Sequence, residues 1–172
     1  VGLGVSFYSV GWFRNDSQKM AQFWPLFLLM WTALNALFLS ADLFNLYVTL
    51  ELLGLSAVGL AALAGGADAL TGAMRYLLVS LLGSLLYLLG VAMLYHAYGS
   101  VDIALVAERL TPSNASWSAM ALISTGLLLK TALFPLHFWL PPAHASAPAP
   151  VSALLSALVI KATFYLMFRL WL

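Results

Sequence analysis

Residues 127–165 read LLLKTALFPLHFWLPPAHASAPAPVSALLSALVIKATFY. Lys130 and Lys161 each sit in a long apolar run, and five of the chain's seven prolines, Pro135, Pro141, Pro142, Pro148 and Pro150, lie between them. A proline inside a helix removes a backbone hydrogen bond and collides with the carbonyl four residues earlier, so the run that starts near Trp117 is expected to break near Pro135. If these runs cross a bilayer, each lysine costs about 2.5–3.5 kcal/mol at mid-depth on insertion scales. Two such charges in neighbouring runs call for a counter-charge, a wet cavity or a function that retains them.

Composition supplies the bilayer. Of 172 residues, 63% are hydrophobic and 8% are charged, against roughly 25% charged in an ordinary soluble domain. Apolar runs of 18 or more residues recur at close spacing, which points to α-helical spans rather than the alternating strands of a barrel. The reading is an all-α integral membrane protein, one transmembrane domain over 1–172. Its spans are expected at 23–40, 43–64, 69–98, 117–134 (broken near Pro135) and 151–172, with a partial span at 1–13 and a polar surface loop at 99–116. That makes about five full spans plus one partial, with one discontinuous helix. Apolar ends without an initiator Met or basic leader lead us to expect a fragment of a longer polypeptide.

The few basic residues are scattered and the net charge is +1, which gives nucleic acid no footing. With no cysteine, disulfides, thiolate metal sites and cysteine nucleophiles are excluded. Phosphate loops, dinucleotide fingerprints and the serine elbow are absent, so no cofactor and no active site of its own are expected. Trp12, Trp24, Trp117 and Trp171 read as interfacial anchors. Arg14, Lys19 and Arg75 fall at one face if the spans alternate, with Asp42, Asp102 and Glu108 at the other; the positive-inside rule makes the first face cytoplasmic.

Intramembrane charges are functional by default. Glu51 lies near mid-span, with Tyr47 one turn back as a possible hydroxyl donor. Lys130 precedes the break by five residues, where it can pair with Glu51; an ammonium favoured by a nearby carboxylate, and released when that carboxylate moves away, is a proton switch. Lys161 is about ten residues from either end of its run, too deep to snorkel, and has no carboxylate in its own helix. His137, beside the break, reads equally as a proton relay or as a structural hydrogen-bonding group. His96 and His144 read as structural, Asp42 as a helix cap. Static readings remain for Glu51 and Lys130, as a satisfied carboxyl and its fixed partner.

SADLFNLYVTLELLGLS around Glu51, followed by the quoted stretch with its HFWLPPAHASAP turn, resembles the proton-conducting antiporter family. That family comprises the antiporter-like membrane subunits of respiratory complex I, of membrane-bound hydrogenases and of multisubunit sodium/proton antiporters. The resemblance implies the first half of a 14-span fold with two inverted five-helix repeats. It further implies that Glu51 and Lys130 line an input half-channel and that Lys161 is the central lysine. It makes the chain a multi-pass subunit of the inner (plasma) membrane, working with other membrane subunits on protons and, in the antiporters, sodium. DLFNLYV and APAPVSAL point to the D-type antiporter subunit. Pro142 stands where complex I subunits usually carry an acidic residue; an antiporter-like subunit of NADH:quinone oxidoreductase or hydrogenase is the alternative.

Overall fold

In the computed structural model, which describes residues 1–171, helices follow one another with short turns. They are α1 (Gly2–Trp12), α2 (Ser17–Leu39), α3 (Leu43–Ala62), α4 (Gly66–Tyr98), α5 (Ile103–Arg109), α6 (Asn114–Thr131), α7 (Leu140–Ser146) and α8 (Ala149–Trp171). Among the described residues, α2, α3, α4 and α8 are each long and apolar enough to cross a membrane unaided. The span expected at 117–134 is divided: α6 ends at Thr131, and its C-cap Ala132 takes a left-handed conformation before the linker to α7.

Several boundaries move from where the sequence put them. α2 starts at Ser17 rather than 23, because the Asp16 carboxylate accepts the Lys19 amide and caps the helix through its polar first turns. That same bond holds the Asp16 carboxyl below the ordinary carboxylate range. Pro25 therefore sits inside α2 and not in its first turn. α3 is shorter than expected and α4 longer at its start, since Gly65 and Gly66 both have positive φ, 75° and 81°, and compress the turn between them.

The connections between helices meet at two ends of the bundle. Asp16, Lys19 and Gly65 line one surface cleft at the first end. At the other end, the α2–α3 and α4–α5 connections bond to each other, Leu43 N–H to the Val101 carbonyl at 2.8 Å and Ile103 N–H to that of Ala41 at 3.0 Å. Asp42 and Asp102 face each other across this bridge and cap α3 and α5.

The pairing of α4 with α6 positions the site. Ser80, Gly83, Ser84, Tyr87, Gly90, Val91 and Leu94 form a buried stripe at helical spacing along α4. A Cβ on Gly83 would lie 2.9 Å from the Gly126 carbonyl oxygen, and one on Gly90 2.6 Å from that of Ala119. Small residues let the two backbones nearly touch, as membrane helices do where lipid offers no competing hydrophobic drive.

Candidate functional site: a buried carboxylate–ammonium pair at a helix break

Lys130 occupies the last turn of α6 and is 6% exposed. Its stem lies over Gly83, where an added Cβ would come 3.2 Å from the lysine Cγ. Its Nζ reaches Glu51 Oε1 on α3 at 3.4 Å and the Ser80 hydroxyl on α4 at 2.9 Å. Gly54, one turn beyond Glu51, clears the space: a Cβ there would meet Ser80 Oγ at 2.8 Å and Lys130 Nζ at 3.7 Å. Ser84 donates to the Oε1 atom of Glu51. The sequence pointed to Tyr47 as the hydroxyl beside Glu51; the structure supplies Ser84 from the neighbouring helix instead.

The two arms of the lysine differ. A tight charge-assisted N–H···O bond measures about 2.7–2.9 Å, so the arm to Ser80 is tight and the arm to the carboxylate is long. An ammonium anchored on a neutral hydroxyl and loosely paired with an anion can separate from that anion without losing every partner.

The break beside Lys130 is itself closed. Trp139 donates its indole N–H to the Leu129 carbonyl at 3.1 Å, taking up an acceptor left at the end of α6. Its ring stacks on Tyr76 of α4, centroids 4.5 Å apart. Thr131 bonds the Leu127 carbonyl at 2.6 Å and the Thr163 hydroxyl of α8 at 3.1 Å, so α8 is fastened to α6 one residue past the lysine. A π-turn at Leu155–Val159 precedes this contact; such turns shift the register of a helix face.

The other expected site residues lie apart from the pair. Lys161 is exposed on α8, on the same side as Phe164, Tyr165 and Phe168, while its neighbours Ala162 and Thr163 turn inward. His137 is exposed in the linker, 5.7 Å between ring centroids from Phe134. His144 is half-buried on α7 with Nδ1 2.7 Å from the Ser152 hydroxyl. Ser80 and Ser84 were missed as polar partners because serine is also the small residue that close helix packing selects. Their i, i+4 spacing on the helix that faces Glu51 is the signal that could have found them.

The transmembrane-domain profile described as NADH:quinone oxidoreductase/Mrp antiporter matches residues 40–172. The chain belongs to this family. Within the family, it is 40% identical over 98% of its length to the N-type subunit of NADH-quinone oxidoreductase from Desulforudis audaxviator, and 31% identical over 99% to the D-type subunit of the Na(+)/H(+) antiporter from Bacillus subtilis. It covers 34% and 35% of those proteins, so it spans about a third of the relatives it matches. Among solved structures, a chain of the archaeal membrane-bound sulfane sulfur reductase superposes with a TM-score of 0.80 at 35% identity, over 84% of this chain and 30% of that one. One from the Mrp complex of Dietzia sp. DQ12-45-1b gives 0.77 at 33%, over 86% and 28%. Family membership and the long apolar helices make this a multi-pass membrane protein.

Proposed function

We propose that this chain is the input part of a proton-translocating antiporter-like subunit, in which Glu51 and Lys130 gate proton entry and Lys161 holds the proton next. The observation that carries the reading is the pair itself, with Lys130 buried and Glu51 part-buried between α3, α4 and α6. Desolvating two charges costs several kcal/mol per ion, of the order that their attraction repays, so a fold seeking stability alone would do as well with apolar side chains there. A pair that is loose on its carboxylate arm and anchored on Ser80 serves a switch better than a brace.

In this mechanism the carboxylate keeps Lys130 protonated while the two are close. When the pair opens, the ammonium loses its counter-charge and its proton becomes easier to release. Lys161 receives it from the outer side of α8, where the remainder of the polypeptide covers it. His137, on the open side of the break, exchanges protons with whatever faces it there. The D-type subunit of a multisubunit sodium/proton antiporter in the plasma membrane is our reading of the whole, with sodium as the exchanged ion and other membrane subunits as partners. The 40% identity to an N-type oxidoreductase subunit favours a second reading, an antiporter-like subunit of NADH:quinone oxidoreductase.

The test is proton transport by the full-length protein in its complex, reconstituted in vesicles. Glu51→Gln and Lys130→Ala are expected to abolish it with assembly intact; transport at the wild-type rate by both would refute the reading. Partners that co-purify in mild detergent separate the two assemblies: flavin and iron-sulfur proteins indicate the oxidoreductase, small membrane proteins alone the antiporter.

A further inference from the structure

Lys130 faces two surroundings. One is Glu51 with Ser84; the other is a cavity of about 10 Å³ lined by Leu50, Leu53, Gly54, Tyr76, Ser80, Val159 and Thr163 as well as by Lys130, which Glu51 does not line. One water needs roughly 10–15 Å³ and two to four polar partners. This cavity has that room, and its polar lining comes from three helices: Ser80 and Tyr76 on α4, Lys130 on α6 and Thr163 on α8.

The donors around it are in surplus. An ammonium has three N–H groups, and two of Lys130's are directed at Glu51 and Ser80. The Tyr76 ring is buried against Trp139, and its hydroxyl, which bonds no other described residue, keeps some accessible surface. A buried phenol that lines a polar cavity normally finds a partner.

Thr163 is an adaptable acceptor. Its hydroxyl lies 2.9 Å from the Ile160 carbonyl and 3.1 Å from Thr131 Oγ1, while Thr131 also has the Leu127 carbonyl within reach. Two hydrogen-bond directions therefore satisfy the pair: Thr131 donates to Thr163 and Thr163 to Ile160, or Thr163 donates to Thr131 and Thr131 to Leu127. In both, Thr163 keeps a lone pair for the cavity.

We propose that one water in the cavity, held by Thr163 and Tyr76, is a second station for the Lys130 ammonium, and that Thr163 is the positioning residue that decides how readily Lys130 leaves Glu51. The move changes hydrogen bonds only; the lysine keeps its proton until it has left the carboxylate. It is directed towards α8, the helix that also carries Lys161. The proposal rests on the reading of Lys130 as a mobile member of the proton path.

The test uses the full-length protein in its complex, in vesicles, with a pH-sensitive dye reporting proton transport. Thr163→Val keeps the side-chain shape and removes the hydroxyl, and is expected to slow transport about tenfold, the effect of losing one hydrogen bond. Thr163→Ser should recover most of the rate. The pH profile separates this role from a structural one. Glu51 from α3 and Tyr76 from α4 are the titratable groups facing Lys130, and α8 faces it with Val159 and Thr163. Without the second station the ammonium stays beside Glu51, so the transport profile of Thr163→Val should move to more alkaline pH. Tyr76→Phe, which keeps the stack on Trp139, should act in the same direction and decides the matter if Thr163→Val does not assemble. Wild-type rate and pH profile in both Thr163→Val and Tyr76→Phe, with Lys130→Ala inactive, would overturn the second station and leave the proton path standing. Normal transport by Lys130→Ala would overturn both.

Discussion

Lys130 and Lys161 have the same side chain, similar apolar settings and positions on either side of the same proline-rich linker, yet the fold treats them oppositely. Lys130 is enclosed by α3, α4 and α6, with a carboxylate and a hydroxyl in reach. Lys161 points outward from α8 among exposed aromatic residues. A buried charge whose partners come from its own bundle is part of that bundle's packing. A charge on the outer surface of a membrane helix belongs instead to an interface with whatever covers that surface.

The comparison can be broken most forcefully at Lys130. Lys130→Ala leaves Glu51 part-buried without its cation, which should cost about 3–5 kcal/mol of stability; chemical unfolding of the full-length protein in detergent measures it. A loss no greater than that of a surface substitution would mean that the pair is not part of the packing.

A smaller effect is expected where the backbones touch. Gly90→Leu forces a side chain against the Ala119 carbonyl and Ile123, with an expected cost of about 1–3 kcal/mol from overpacking and a shifted register between α4 and α6. The same unfolding measurement, with transport assayed in parallel, shows whether the lysine stem depends on that register.

Smaller again, Trp139→Phe keeps the stack on Tyr76 and removes the donor to the Leu129 carbonyl, at about 1 kcal/mol. Lys161→Met should lower the unfolding midpoint far less than Lys130→Ala, because Lys161 is exposed on the α1–α8 bundle, while abolishing transport if the proposed path holds. A loss as large as that of Lys130→Ala would place Lys161 in the packing of this bundle and erase the contrast.

The slightest effect belongs to Asp16. Its folded carboxyl is held below the ordinary value of 3.8, chiefly by the Lys19 amide, so its contribution is present above that value and fades as the pH falls through the lowered one. Asp16→Asn keeps a capping oxygen and should remove only this acid-side dependence, read from unfolding midpoints across pH 5 to 3, a range of about two units around the reference carboxylate values.

Much of this was legible in the chain. Apolar runs fixed the helices and their alternation, because in lipid a backbone must satisfy its own hydrogen bonds and helices are one of the two ways to do so. The proline cluster marked the break, and the intramembrane Glu51 and Lys130 stood out as a pair that could meet. Boundaries were less legible: α2 extends to its Asp16 cap through polar residues that hydropathy assigns to a turn.

What the sequence could not state was which residues share a face across helices. Ser80 and Ser84 look like packing residues until α4 is laid against α3 and α6, and Tyr47 looks like the partner of Glu51 until Ser84 is seen to hold that place. The bridge between the Ala41 and Val101 segments has no local signal, since it depends on two connections meeting. The outward turn of Lys161 depends on the packing and phase of α8, including a π-turn that hydropathy does not register. Depth in the bilayer follows from position along one helix, which a sequence records. Contact between helices follows from their rotation and close approach, which only the packed structure decides.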